Sequence, residues 1–101
     1  MPISSGTQAF IPDLRMVTWP HGFKPNITER YDGSRDPKEF LQIYSIAITS
    51  AGGDDKVKVN YLPSILEGAA RSWLMNLPER SVRSWDHLYD LFRANFQVTY
   101  K

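Results

Sequence analysis

The sequence predicts an all-α fold, a small orthogonal four-helix bundle preceded by an extended N-terminal arm. Three observations support this prediction. From residue 31 onward, residues that favour helix starts recur at the head of each segment. Apolar side chains follow each start at spacings of three and four, as on the buried face of a helix. Glycine or proline separates the segments, and connections this short favour a compact bundle of helices at irregular angles.

The composition limits the classes of protein that the chain can represent. Its 101 residues, 42% hydrophobic and 13% aromatic, suit one folded domain. Twelve basic and eleven acidic residues give a net charge of +1, unlike the concentrated positive charge of a dedicated nucleic-acid binder. The absence of cysteine excludes disulfides, thiol catalysis and zinc knuckles within this sequence. With no signal peptide in residues 1–20 and no membrane-spanning apolar run, we expect a cytoplasmic or nuclear protein without membrane partners.

Residues 1–30 form the predicted arm, and residues 31–101 form the predicted helical lobe. Prolines at positions 2, 12, 20 and 25 oppose a helix in the arm, and we expect the segment 10–14 to be extended. The arm nevertheless carries many apolar side chains, so we expect it to dock partly, with Trp19 and Phe23 near the first or fourth helix. The alternative is a flexible linker. The candidate docking or interaction residues are Phe10, Ile11, Leu14, Val17, Trp19 and Phe23.

The first two predicted helices begin at aspartates. Asp36 is a good N-cap, Pro37 suits the first helical position, and Gly52 with Gly53 ends the first helix. The second helix begins at Asp54, where carboxylates complement the positive end of the helix dipole. Pro63 lies inside its apolar pattern, so we expect a kink or a break there.

The third predicted helix covers about residues 69–77 and ends at Pro78, whereas the fourth begins at Ser84. Residues 98–100 have mild strand character. The aromatic and leucine side chains of the four helices are expected to form the core, with Trp73 placed where the helices converge. The predicted core residues are Phe40, Tyr44, Leu66, Trp73, Trp85, Leu88, Phe92 and Phe96.

Three short motifs resemble functional sites and have simpler explanations. Gly53-Asp54-Asp55 matches the catalytic triplet of viral polymerases, but it precedes a predicted helix, where the aspartates act as caps. Asp32-Gly33-Ser34 holds the letters of an aspartic-protease motif in the wrong order, and a turn explains it. Asn26-Ile27-Thr28 matches a glycosylation acceptor, which has no consequence without secretion.

The remaining polar residues do not indicate catalysis either. His21 and His87 are the two histidines, and a shared metal site would require the arm to fold onto the fourth helix. Ser84 beside His87 suggests a nucleophile, but an N-cap explains the serine more simply. The basic residues alternate with acidic ones, which favours an ordinary solvated surface over an RNA site. We therefore expect no enzymatic activity, metal or cofactor. The basic residues considered are Lys56, Lys58, Arg71, Arg80, Arg83 and Arg93.

The anchors between residues 19 and 97 occur in an order that resembles a known family. Tyr31-Asp-Gly-Ser-x-Asp-Pro is followed by Phe40 and by Gly52-Gly-Asp-Asp. Leu66-x-Gly-x-Ala-x-x-Trp and Ser84-Trp-x-x-Leu-x-x-x-Phe-x-x-x-Phe come next. This order resembles the Gag domain of gypsy-class LTR retrotransposons, particularly plant elements. A similar arrangement occurs in the N-terminal lobe of the domesticated capsid protein Arc.

The resemblance implies a capsid N-terminal-type lobe that helps Gag subunits assemble into virus-like particles around element RNA in the cytoplasm. It also implies parts beyond this sequence, namely a C-terminal dimerisation domain and a Cys/His knuckle, so the lobe itself is expected to contact RNA weakly. The alternative is a domesticated module that binds an extended partner peptide in an apolar groove. By the same resemblance, the apolar arm could occupy that groove.

Overall fold

The computed structural model describes residues 7–99, and the all-α prediction is confirmed for them. This part of the chain holds five α-helices and two 3-10 turns, and its strand-like pairing is limited to two isolated parallel bridges. The helices are α1 (Pro12–Arg15), α2 (Pro37–Ser50), α3 (Asp55–Tyr61), α4 (Gly68–Met75) and α5 (Trp85–Thr99). The 3-10 turns are Thr7–Ala9 and Leu62–Ile65.

The predicted starts of α2 and α3 are confirmed by their capping contacts. The Asp36 carboxylate accepts a hydrogen bond from the Lys38 backbone N–H at 3.0 Å, and Pro37 takes the first helical position. The Asp54 carboxylate accepts from the Val57 backbone N–H at 3.0 Å. Each carboxylate satisfies a donor that the helix itself leaves unpaired, which fixes where the helix begins.

The α2–α3 junction depends on Gly53 for a steric reason. A Cβ atom at this position would lie 2.6 Å from Ile48 Cγ2 and 2.8 Å from Val57 Cγ1. Ile48 and Val57 are both buried, so neither side chain has free space into which it could move. The glycine therefore lets the two helices meet over the core.

The break expected at Pro63 is confirmed, because α3 ends at Tyr61 and the chain continues as the 3-10 turn. The fourth predicted helix also begins as expected: the His87 backbone N–H donates to Ser84 Oγ at 3.1 Å. The third predicted helix is shorter at its C-terminal end, since α4 stops at Met75. The strand character assigned to residues 98–100 was wrong for residues 98 and 99, which are helical, and residue 100 lies outside the described residues.

The arm is less extended than the sequence indicated. Phe10 and Ile11 are extended as expected, but Pro12–Arg15 is a short helix, so the expectation of an extended 10–14 segment was wrong for residues 12–14. Pro12 occupies the first turn of α1, where its missing N–H removes no helical hydrogen bond, and Asp13 complements the helix dipole. Proline thus restricts where a helix can begin without preventing one.

Tyr31 lies at the centre of the core. Its backbone forms a parallel bridge with Leu66, and its ring centroid lies 4.5 Å from that of Phe40 and 5.2 Å from that of Phe92. Its hydroxyl donates to the Arg35 carbonyl oxygen at 2.7 Å. Tyr31 is fully buried, so a residue that precedes every predicted helix of the lobe joins α2, α5 and the segment just before α4.

Most predicted core residues are buried, whereas Trp73 is half-buried. The Trp73 ring packs edge-on against Phe92 and Phe96, with centroid distances of 5.6 and 5.4 Å. The structure therefore places Trp73 at the margin of the aromatic cluster and Tyr31 at its middle. The buried members of the predicted set are Phe40, Tyr44, Leu66, Trp85, Leu88, Phe92 and Phe96.

Candidate interaction surface

The first part of the arm is continuous with the core. Phe10 forms a parallel bridge with Val82, and both residues are fully buried. The Ile11 N–H donates to the Val82 carbonyl at 3.0 Å, and the Val82 N–H donates to the Ala9 carbonyl at 2.8 Å. Leu14 is also buried, and its carbonyl accepts from the Asn60 side chain at 2.9 Å. These contacts give Phe10 and Leu14 a structural role, and Ile11 is half-buried beside them.

The second part of the arm lies on the surface. The rings of Trp19 and Phe23 pack at a tilted angle with a centroid distance of 5.7 Å, and the Phe23 ring centroid lies 5.5 Å from that of Tyr61 at the end of α3. Both rings therefore contact the second predicted helix, whereas we expected them near the first or the fourth. Val17 and Phe23 are half-buried against the core, whereas Trp19 is 45% exposed and Met16 is 71% exposed.

The outer face of α2, defined here as Glu39, Ile43, Ile46 and Ser50, carries two exposed isoleucines. Ile43 is 62% exposed and Ile46 is 67% exposed. The opposite side of the same helix is buried through Phe40, Leu41, Tyr44 and Ile48. An amphipathic helix normally keeps polar residues on its solvent side, so this apolar pair marks a candidate contact surface.

A cavity of about 130 Å³ lies at the N-terminal end of this face, between α2 and the segment formed by residues 26–29. Its apolar side chains are Ile27, Phe40, Ile43 and Tyr44. A second, shallower depression lies at the C-terminal end of α2, where Lys24 and Asn26 face Ile46, Ala47 and Ala51. The two depressions share Asn26 as a lining residue, so the segment from residue 24 to 29 flanks α2 at both ends of its outer face.

The two ends of this surface differ in charge. Glu29, Asp36 and Glu39 line the cavity, with Arg35 as its basic residue. Arg35 is already engaged, because its guanidinium donates to Glu29 Oε1 at 2.8 Å and to the Arg30 carbonyl. Among the described residues Glu39 forms no ion pair. The cavity end is therefore acidic, whereas Lys24 makes the opposite end basic.

The residues considered for catalysis have structural partners. Asp54 caps α3, and Asp55 forms an ion pair with Lys58 at 3.2 Å. Ser84 Oγ accepts from the His87 N–H, and His87 Nδ1 accepts from the Arg83 N–H at 3.3 Å, so the pair forms a helix cap. Over residues 7–99, acidic and histidine side chains form no group of three or more that could hold a metal ion.

Hydrogen bonding and burial shift three ionisable groups. Two hydrogen bonds from Ser34, one from its hydroxyl and one from its backbone N–H, lower the pKa of the Asp32 carboxyl. These bonds confirm the predicted turn, in which Gly33 has φ of +99°. Burial raises the pKa of Tyr31 to about 12. Burial also raises the pKa of Tyr44, whose hydroxyl donates to the Lys58 carbonyl at 2.6 Å.

A comparison with protein families gives a match over residues 24–97, to the N-terminal capsid-like domain of retrotransposon-derived protein PEG10. The chain belongs to this capsid-like domain family. The matched region includes the segment from residue 24 to 29, all of α2 and both depressions of the outer face. Searches of curated proteins and of solved structures found no match.

Membership of this family gives the lobe a Gag-type structural role. Within the part of the chain that the structure describes, no helix has both the length and the apolar character that a membrane crossing requires. The exposed basic residues Arg71, Arg80, Arg83 and Arg93 lie in the same matched region.

Sequence reasoning did not single out Ile43 and Ile46 as candidate residues. A usable signal was present, because apolar residues at spacings of three and four form a separate stripe on this helix, made of Phe40, Leu41, Tyr44, Ala47 and Ile48. Two isoleucines outside that stripe on the same helix must point away from the core or widen the buried face. The structure shows that they point away.

Proposed function

We propose that this capsid-like lobe is a self-assembly module of the Gag polyprotein of a gypsy-class LTR retrotransposon. Its role is to form contacts between Gag subunits as they build virus-like particles around element RNA in the cytoplasm. The observation that carries the proposal is the family match over residues 24–97. The order of anchors that resembles plant elements and the Arc lobe supports the finer assignment.

The structure offers a physical basis for such contacts. Ile43 and Ile46 lie on a helix that is capped at its start and packed along its opposite face. A preformed apolar surface loses little conformational entropy when a partner covers it. Weak contacts of this kind can sustain a shell, because many copies act together in an assembled particle.

RNA has a secondary place in this proposal. The net charge of the chain is only +1, and its exposed arginines alternate with acidic residues. Binding that depends on a few phosphate contacts is weak and falls steeply as salt rises. We therefore assign strong RNA packaging to other parts of a Gag polyprotein and weak contact at most to this lobe.

Sedimentation velocity over a concentration series tests the proposed function. We expect mainly monomer at low micromolar concentration and reversible oligomers as the concentration approaches about 1 mM, a range typical of weak contacts. Electron microscopy of the concentrated sample would show whether the oligomers grow into regular particles. A strictly monomeric lobe across the whole range would overturn self-assembly as its own function.

A second candidate function is binding of an extended partner peptide by a domesticated Gag-like module. The cavity beside α2 favours it, since its apolar side chains are framed by acidic ones, an arrangement suited to an apolar anchor next to a basic residue. Panning a displayed peptide library against the wild type tests this function. Selected peptides that lose binding to Ile43→Arg but not to Met16→Arg would support it, and failure to enrich any sequence would contradict it.

A further inference from the structure

The outer face of α2 has a spacing that is the same in both directions along the helix. Glu39 and Ile43 are four residues apart, Ile43 and Ile46 are three apart, and Ile46 and Ser50 are again four apart. A two-fold axis perpendicular to the helix, between residues 44 and 45, would place Ile43 of one copy at the position opposite Ile46 of a second copy. The same axis would place Glu39 of one copy opposite Ser50 of the other.

We propose that a second copy of this chain packs on the outer face of α2, with the two α2 helices antiparallel about this two-fold axis. Ile43 of each copy then lies opposite Ile46 of the other copy, so all four isoleucine side chains are covered. The same patch serves both subunits, as an isologous contact requires. This inference rests on the proposed function, because it names the surface through which the lobes associate.

Charge complementarity favours the antiparallel arrangement over a parallel one. The acidic end, with Glu29, Asp36 and Glu39, would meet the partner's Lys24 at the opposite end. A parallel pair would place the acidic ends together, and like charges at close range oppose association. Antiparallel helices also bring each positive dipole end near the negative end of the other helix.

The exposure of the two isoleucines explains why the occupant should be a second copy. Each isoleucine is more than 60% exposed. The cavity takes in Ile43 and the shallower depression takes in Ile46, so neither depression covers both. A second α2 helix covers both at once with the same two side chains. The contact is small, so it should be weak in the isolated lobe and strengthened when several contacts act together.

The first test compares variants by sedimentation equilibrium. Ile46→Arg buries a charge at the proposed interface, and we expect the dimer dissociation constant to rise at least about tenfold. Met16→Arg is the matched control, because Met16 is an exposed apolar residue on another part of the surface. Lys24→Glu and Glu39→Lys should each weaken dimerisation, and the double variant should restore it by exchanging the charges.

The second test uses the absence of native cysteine. Glu39 and Ser50 lie eleven residues apart, which is about 16 Å along a helix. In the antiparallel dimer, Glu39→Cys of one copy lies near Ser50→Cys of the other, whereas each variant alone keeps its thiols far apart. We therefore expect disulfide-linked dimers when the two variants are mixed and few in either one alone. Mixing Glu39→Cys with Arg93→Cys controls for random collision.

The outcomes separate this inference from the proposed function. Two results would together support the inference and the proposed function. Ile46→Arg would weaken association, and disulfide-linked dimers would form only in the mixture of Glu39→Cys with Ser50→Cys. Association that is unchanged by Ile46→Arg would overturn the α2 interface and leave self-assembly standing. No association of the wild type at any concentration would overturn the proposed function, and the inference with it.

Discussion

Tyr31 shows at the residue scale how one side chain joins distant parts of the chain. Its ring contacts Phe40 of α2 and Phe92 of α5, and its backbone pairs with Leu66 before α4. The ring is fully buried, yet its hydroxyl has a partner in the Arg35 carbonyl. A buried tyrosine with a satisfied hydroxyl is stabilising only while the phenol stays neutral.

The pH dependence of stability follows from the shifted pKa of Tyr31. Burial raises this pKa from 10.0 to about 12, so the folded state holds the phenolic proton more tightly than the unfolded state. The stabilisation is complete below pH 10 and is lost as the pH rises from 10 towards about 12. We expect the free energy of unfolding to fall by about 1.4 kcal/mol per pH unit within this window. Tyr44 acts in the same direction.

Urea denaturation at several pH values between 8 and about 11.5 measures this effect. In Tyr31→Phe, the free energy of unfolding should fall less steeply between pH 10 and the upper limit of the series. The reason is that this variant lacks one of the two phenols whose pKa is raised by burial. All other ionisable groups are the same in both proteins, so their effects cancel in the comparison. If the free energy of unfolding fell equally steeply with pH in the wild type and in Tyr31→Phe, burial would not raise the pKa of the Tyr31 phenol.

Gly53 provides a second residue-scale prediction. Gly53→Ala places a methyl group within 3 Å of the Ile48 and Val57 side chains, and overpacking of a core typically costs about 1–3 kcal/mol. We expect the melting temperature to fall by about 4–8 °C for each kcal/mol in a domain of this size. Gly22→Ala is the control, since it introduces backbone strain at φ of +67° with no neighbour within 4 Å. A smaller loss for Gly53→Ala than for the control would contradict the steric explanation.

At the scale of elements, local chemistry was predictable and tertiary placement was not. The starts at Asp36, Asp54 and Ser84 depend on side chains that bond to the backbone two or three residues later, so the sequence alone specifies them. The break at Pro63 is local for the same reason. The marginal position of Trp73 depends on how α4 meets α5, which no spacing within α4 encodes.

The arm illustrates the same difference. Its apolar composition predicted docking, but the pairing of Phe10 with Val82 joins residues more than seventy positions apart. Local patterns contain no information about such a partner. The candidate arm residues therefore divide into buried Phe10 and Leu14, half-buried Ile11, Val17 and Phe23, and exposed Trp19, a division that only the folded structure reveals.

Paired substitutions in the arm test this division. Phe10→Ala removes a fully buried ring and should cost about 3–5 kcal/mol of unfolding free energy. Trp19→Ala removes a ring that is 45% exposed and packs on Phe23 and Tyr61, so about 1–2 kcal/mol is expected. Urea denaturation of both variants against the wild type gives the two values. A Phe10→Ala loss no larger than that of Trp19→Ala would mean that the start of the arm is not part of the core.

At the scale of the whole molecule, function depends on surfaces that the sequence describes incompletely. The order of anchors was sufficient to indicate a Gag-type lobe, and the family match agrees with that class. The candidate surface was harder to predict, because apolar residues were first interpreted as core. Ile43 and Ile46 can be recognised as surface residues only in the folded structure, where the opposite face of α2 is buried without them.

Concentration-dependent NMR of isoleucine methyl groups tests the central claim, self-association of the lobe through the outer face of α2, most directly. Between low micromolar and about 1 mM protein, where weak contacts become populated, we expect the methyl signals of Ile43 and Ile46 to shift progressively. The signals of buried Ile48 and Ile65 should stay in place. Methyl spectra that do not change with concentration, or changes that spare Ile43 and Ile46, would contradict the account.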